Sequence, residues 1–292
     1  MTALLVALMV FLYSLQSLFC KLFSQHHDSP DASLTSTIFS ISLGLFVGAA
    51  TLAFAGFRFA PSPLTLTCGA LNAVTLLVYN TAMIQASRGG SFSFQMLSSL
   101  FGGILVPMLF GALFLNESLT AVQLIAVALM LVSFVLMNLK GLTFRGNSRR
   151  FLFWCLALFL ANGFYGVLLN LQQSRMGGAE RNEMIVLSYL GLAALYGVVQ
   201  LIRGRRSLAA GFRMSRRPLV FLLLCCVVAT VCVHMVLYVL RFVDETVVYT
   251  IENGGVLALS VLYSRLLFHE RLSKTQLAGI AVAVVSIVML SL

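Results

Sequence analysis

The sequence predicts an all-α integral membrane protein, with ten transmembrane helices arranged as two inverted five-helix repeats around a central cavity. Three observations carry that expectation: composition, the lengths of the apolar runs, and an internal repeat. Sixty per cent of the residues are hydrophobic and 10% are charged, against roughly 25% charged in soluble domains. A hydrocarbon core ~30 Å thick needs ~20 apolar helical residues at ~1.5 Å each. Ten runs of about that length fill most of the chain: about 2–24, 33–56, 64–86, 91–115, 120–139, 150–174, 183–202, 218–241, 245–268 and 273–292. The runs are continuous, unlike the alternating ~10-residue strands of a membrane β-barrel. Ten packed helices can enclose a cavity, and no room is left for a separate soluble domain.

The repeat has an offset of 153 residues and no gap. Arg88 falls on Arg241, Gly102 on Gly255, Glu117 on Glu270, Leu119 on Leu272 and Gln123 on Gln276. Five spans per copy is an odd number, so the second copy must enter the membrane upside down. A pseudo-two-fold axis in the membrane plane then relates the halves, an architecture common among secondary transporters. The halves are 1–142 and 148–292, joined by the basic stretch KGLTFRGNSRR with 143–149 as linker. They form one integrated transmembrane domain. The repeat is strongest over spans 4–5 and 9–10 and thin over spans 1 and 6.

Taken in order, the spans supply the following polar features. Span 1 has no basic leader and no A-x-A cleavage signal, so it is expected to stay as an anchor. Its Tyr13, Gln16 and Ser17 share a helical face. His26 and His27, beside Asp28 and Asp31, read as a solvated loop, with a weak surface metal site as the alternative. Span 3 offers Tyr79 and Asn80, and span 4 offers Gln95, Ser98 and Ser99 before Gly102, Gly103 and Pro107. Span 6 puts Asn162, Tyr165 and Gly166 on one face, and span 8 holds His234 and Tyr238. In span 9, Tyr249, Glu252, Asn253 and Val256 share a face, followed by Gly254 and Gly255. Matching weak points in corresponding helices point to a transporter's binding site, so Gly102, Gly103, Gly254 and Gly255 read as helix breaks. The alternative is that they permit close helix packing.

Glu252 is the one carboxylate embedded in a span, about seven residues or ~10 Å deep. An ionisable residue within a membrane is costly and functional by default. His234 and Glu252 lie nine positions either side of the turn near Val243, so neighbouring antiparallel spans would bring them to one depth. There they could share a proton or grip a polar substrate. The other named polar residues either line the cavity or make interhelical hydrogen bonds that hold the bundle together.

Two turns carry local physics of their own. Thr120 and Gln123 in FLNESLTAVQ, and Ser273 and Gln276 in FHERLSKTQ, form capping boxes for spans 5 and 10. Glu117 and Glu270 precede those helices and face the positive ends of their dipoles, a structural role.

Charge excludes nucleic acid and sets the orientation. The net charge of +10 lies in short loops, with no basic stripe or stacking platform. Loops after spans 1, 3, 5, 7 and 9 hold 15 of the 19 Lys and Arg. Loops on the other side hold Arg58, Arg175, Arg181 and Arg241. The positive-inside rule puts the first set in the cytoplasm and both termini outside. The six cysteines all lie in or at the ends of apolar runs without a C-x-x-C pair and read as small hydrophobes. No metal or cofactor motif is present.

Ten spans, two five-span repeats and the turns NESLTAVQ and HERLSKTQ together resemble the drug/metabolite transporter superfamily, specifically its EamA-type members. The resemblance covers nearly the whole chain and is sharpest at those two turns. It implies an inverted-repeat bundle that moves metabolites by alternating access. The small multidrug-resistance relatives carry a glutamate in their first helix, where this chain has Tyr13, Ser14, Gln16 and Ser17. Many relatives place their termini in the cytoplasm, opposite to the loop charges here.

The function expected is therefore a secondary transporter exporting small polar or amphipathic metabolites, such as amino acids or organic cations. It would sit multi-pass in the plasma membrane, the inner membrane of a bacterium, with protons as coupling ion and a monomer sufficient. A lipid-modifying enzyme or lipid flippase using Glu252 and His234 is the alternative. Reporter fusions at the C-terminus and near Ala210 should place the C-terminus outside and Ala210 inside. The reverse result would discard the orientation taken from the loop charges.

Overall fold

The computed structural model describes residues 2–27, 29, 31–114, 120–138, 149–177, 179–203, 211–239, 242, 245–269 and 272–289. Ten long helices run through them: α1 (Thr2–His26), α2 (Ala32–Phe54), α3 (Pro63–Ser87), α4 (Phe92–Phe114), α5 (Ala121–Asn138), α6 (Arg149–Met176), α7 (Arg181–Arg203), α8 (Arg216–Val239), α9 (Glu245–Leu266) and α10 (Lys274–Met289). No strand occurs among the described residues. Seven of the helices (α1–α4 and α6–α8) are long and apolar enough to cross a membrane. The ten spans expected from sequence reduce to seven by that measure for physical reasons. The apolar described parts of α5 and α10 are short, and α9 carries Glu245, Glu252, Asn253 and Arg265.

Local chemistry sets several helix ends. Asp31 caps α2 by accepting from Ser33 N at 2.8 Å, and Ser62 caps α3, with Pro63 in the first turn. Ahead of α5, Thr120 N donates to Gln123 Oε1 (2.9 Å) and Gln123 N to Thr120 Oγ1 (3.2 Å). Ahead of α10, Ser273 N donates to Gln276 Oε1 (2.8 Å) and Gln276 N to Ser273 Oγ (3.3 Å). Glu117 and Glu270 lie outside the described residues. Gly177, at φ 58°, ends α6 in the left-handed region that glycine tolerates. Glu180, in the turn that follows, accepts from Ser62 N and Ser62 Oγ, each at 2.9 Å. Hydrogen bonds with Thr65 and Ser62 hold its carboxyl below the usual range.

The helices pack mainly across the two halves. The most extensive pairings are α4 with α6, α2 with α7, α1 with α8, and α5 with α10, followed by α3 with α6 and α7. Exchanging each helix for the one five places along converts α4–α6 into α9–α1, α3–α6 into α8–α1, and α3–α7 into α8–α2. It also converts α4–α5 into α9–α10. The α2–α7, α5–α10 and α4–α9 pairs map onto themselves. The contacts of α3 with α1, α2 and α4 have no counterpart of similar extent among the described residues. The α5–α10 pair stands to one side, fastened by Ser133 Oγ donating to Gly279 O at 2.7 Å.

Both α4 and α9 run unbroken through their glycine pairs, and α4 also through Pro107. The expected breaks at Gly102, Gly103, Gly254 and Gly255 are corrected to close crossings. A Cβ on Gly102 would run into the Phe159 backbone of α6, and one on Gly255 into Val10 of α1. Small residues at these points let helices approach closely, the main source of helix association in a bilayer.

Two further expectations change. Lys21, counted with the loop charges, lies inside α1 and is 2% exposed, its Nζ 4.0 Å from the Phe268 ring centroid and 4.8 Å from that of Phe92. His27 is not solvated. It is buried, with Nδ1 2.8 Å from Thr35 Oγ1 and Nε2 3.2 Å from Gly211 O. Neighbouring helices close over both side chains, which a loop count could not reveal.

Gly102→Ala should lower the yield of folded, monodisperse protein sharply. Gly254→Ala should be tolerated or gain up to ~1 kcal/mol in helix propensity, because its Cβ meets only Ile287 at 3.8 Å. Size-exclusion profiles and thermal unfolding in detergent compare the two. Ser273→Ala, which removes a cap, should cost ~1 kcal/mol in the same unfolding measurement.

Candidate functional site

A cavity of about 500 Å³ lies among the helices. Short connections alternate the helix directions, so odd-numbered helices start at one end of the bundle and even-numbered helices at the other. The cavity reaches the first end, where α6 finishes at Asn170, Gln172 and Gln173 and α7 starts at Arg181. Asn170 is exposed there, so this end is open. Towards the second end the cavity stops near Met96 in the first turns of α4. Beyond it the bundle is sealed by buried Phe23, Phe92, Ser93, Gln95 and Lys21.

Several side chains selected from sequence meet in this cavity. Tyr13 and Gln16 come from α1, Tyr79 from α3, Ser99 and Gly103 from α4, Asn162 and Tyr165 from α6, and Glu252 and Asn253 from α9. Asn162 is fixed by a 2.8 Å hydrogen bond from its Nδ2 to Ser99 O, directly against Gly103. Ser99 Oγ donates to Tyr79 Oη at 3.3 Å. Tyr165 has Tyr189, Tyr79 and Glu252 as polar neighbours. Glu252 has no hydrogen bond or ion pair among the described residues, and its Oε2 is buried. A carboxylate held in that way is expensive unless something else binds it.

Other selected residues lie elsewhere. Gln95 is fully buried, its Nε2 donating to Met83 O (3.0 Å) and Ser87 Oγ (2.9 Å), so it ties α4 to α3. Asn80 is buried outside the cavity lining. Tyr238 is 45% exposed and packs edge-on to Phe242. The Tyr249 side chain lies outside the described residues. Gly254 and Gly255 sit behind the lining face of α9.

His234 does not meet Glu252. Its Nδ1 lies 2.8 Å from Thr230 O, one turn back, and its ring stands edge-on to Phe54 of α2. The expectation of a shared depth on adjacent helices is overturned by the packing. Among the described residues, α8 packs on α1 and α2, whereas α9 packs on α1, α4 and α10. Neighbours in sequence are separated because each half is interleaved with the other.

Sequence reading missed Arg181, Tyr189, Gln172 and Lys21. Arg181 was counted only as a loop charge. Its position at the first residue of α7 faces it into the open end, where its Nε is buried without a partner. Tyr189 lies eight residues further along the same helix and lines the cavity. The spacing of Arg181, Ile185 and Tyr189 along one face was the available signal.

A helical bundle with polar side chains gathered in a cavity among apolar helices defines a multi-pass membrane protein with room for a small molecule. The family model of the EamA-like transporters, of the drug/metabolite transporter superfamily, matches residues 152–292. One solved crystal structure, of a protein without a more specific description, is similar over 99% of this chain and 96% of its own. Its TM-score is 0.55 at 15% identity, a likeness of fold alone. No curated protein matches the sequence.

Asn162→Cys should react with a membrane-impermeant maleimide added at the open end, and Gln95→Cys should not. The native cysteines are all buried, so background labelling should be low. Labelling of Gln95→Cys with Asn162→Cys silent would move the cavity.

Proposed function

We infer that the protein is a secondary transporter of small polar or amphipathic metabolites, built as two inverted five-helix repeats in ten spans and working by alternating access. The observation that carries this reading is Glu252, unpartnered in a cavity that is open at one end of the bundle and sealed at the other. The symmetry of the helix pairings under a five-place exchange supports the inverted repeat. It also supplies a route to the opposite state: equivalent pairs can trade packings, so the sealed end opens as the open end closes.

Glu252 is the coupling residue in this reading. It accepts either a proton or the substrate, and occupancy by one excludes the other, so the two are exchanged. With the orientation that the loop charges favour, the open end faces outward. A substrate leaves from that state, a proton takes its place, and the direction is export. The alternative expected from sequence, a lipid-modifying enzyme, required Glu252 and His234 as an acid–base pair. Those two side chains face different neighbours, which favours transport over that reading.

The test is flux of radiolabelled candidates into proteoliposomes containing only this protein, with and without a pH gradient. Glu252→Gln keeps the shape and removes the charge. It should abolish the response to the gradient and lower exchange by an order of magnitude or more. A well-folded Gln variant with the parental rate and pH dependence would make Glu252 structural.

A further inference from the structure

The lining faces of three helices continue past the floor of the cavity. On α1, Tyr13 and Ser17 line it, and Lys21 follows at the same four-residue spacing. On α4 the lining starts at Met96, and Phe92 lies one turn nearer the sealed end. On α9, Glu252 and Val256 line it, and Ser260, Ser264 and Phe268 come next at that spacing. Both serines are buried, so below the floor the face of α9 is closed but still polar. All three faces end on one cluster. The Phe92 and Phe268 rings meet edge-on with centroids 5.4 Å apart, and the Lys21 ammonium lies against both.

We propose that, given the transport reading, Lys21 is the pin of a gate: the route to the sealed end runs between α1, α4 and α9, and the lysine closes it by holding the Phe92 and Phe268 rings together. A lysine suits that place for a physical reason. Buried, its ammonium has lost its water, which is costly, and the two aromatic faces help offset that cost. When the helices part, water replaces the rings around the same ammonium, so the closed and open states stay close in free energy. An apolar side chain would lose its burial on opening and recover nothing. It would lock the end shut.

The open end has a serine at the equivalent place. At the repeat offset of 153 residues, Lys21 corresponds to Ser174 of α6. Ser174 is exposed and donates its hydroxyl to Leu171 O of its own helix at 3.1 Å. A cationic pin at one end and a serine at the other make the two closures unequal, and the pin is engaged in this structure.

The test uses Ser260→Cys in the full-length protein, in right-side-out and inside-out membrane vesicles. An impermeant maleimide then meets each end of the bundle in turn, and labelling of the same protein without Ser260→Cys is subtracted. From the sealed end the parent should label slowly. Phe268→Leu keeps an apolar side chain but removes the ring face, and should speed that labelling about tenfold, the factor for a desolvated cation–π contact. Lys21→Met keeps the stem and removes the charge. It should slow labelling below the parent and lower flux in proteoliposomes, and Lys21→Arg should restore both. With Lys21→Met and Phe268→Leu combined, the leak should vanish, because a neutral side chain needs no ring. A lysine that only stabilised the fold would lower yield in these variants and leave the ratio of labelling from the two ends unchanged.

Equal labelling in the parent, Phe268→Leu and Lys21→Met would overturn the pin, and so would a Phe268→Leu leak that persists without the lysine. If flux in those proteins still depends on Glu252, the transport reading stands and another contact closes the end. No labelling from the sealed end in any variant, with that flux intact, would place the route elsewhere and also overturn the pin. With flux absent as well, both readings fall.

Discussion

Close crossing between helices of opposite halves is the constraint on which the rest of this molecule depends. In lipid there is no hydrophobic force between helices, so association relies on packing and on the few polar contacts available. Gly102 lets α4 lie against the α6 backbone, and Gly255 lets α9 lie against α1. The strongest pairings all join the first half to the second. Neither half packs as an independent domain. The sequence repeat therefore divides the chain where the structure does not divide.

That interleaving decides which polar residues become useful. A polar group in an apolar bundle either finds a partner or remains costly. Most find one: Asn72 donates to Ser188 across α3 and α7, Gln172 to Thr65 across α6 and α3, and Asn162 to Ser99 O across α6 and α4. These bonds join helices and fix their register. Glu252 and Arg181 differ in being left over inside an accessible cavity. The same packing that satisfies their neighbours leaves Glu252 Oε2 and Arg181 Nε without a hydrogen-bond partner among the described residues.

The sealed end has its own chemistry. Lys21 sits between the rings of Phe92, at the head of α4, and Phe268, just after α9. Cation–π contacts hold it between the head of α4 and the residues just after α9. A lysine in such a box joins three helices from both halves, with α1 as the third.

Sequence alone determined the class of protein, because apolar length and helical rise are one-dimensional quantities. Ten helices lie close to the ten apolar runs, and the turns at Thr120–Gln123 and Ser273–Gln276 were legible because capping is decided within four residues. The family resemblance rested on the same local signals. Glu252 was legible as an embedded carboxylate, and its neighbours Asn253, Asn162 and Tyr165 by helical spacing. Which helices touch was not legible, since chain order suggests α8 beside α9 while packing puts α8 on α1 and α2. The tertiary structure therefore decided that His234 faces Phe54 and that Lys21 and His27 are buried. It also decided that Arg181 reaches the cavity: periodicity gives the face of a helix, and only packing decides what that face meets.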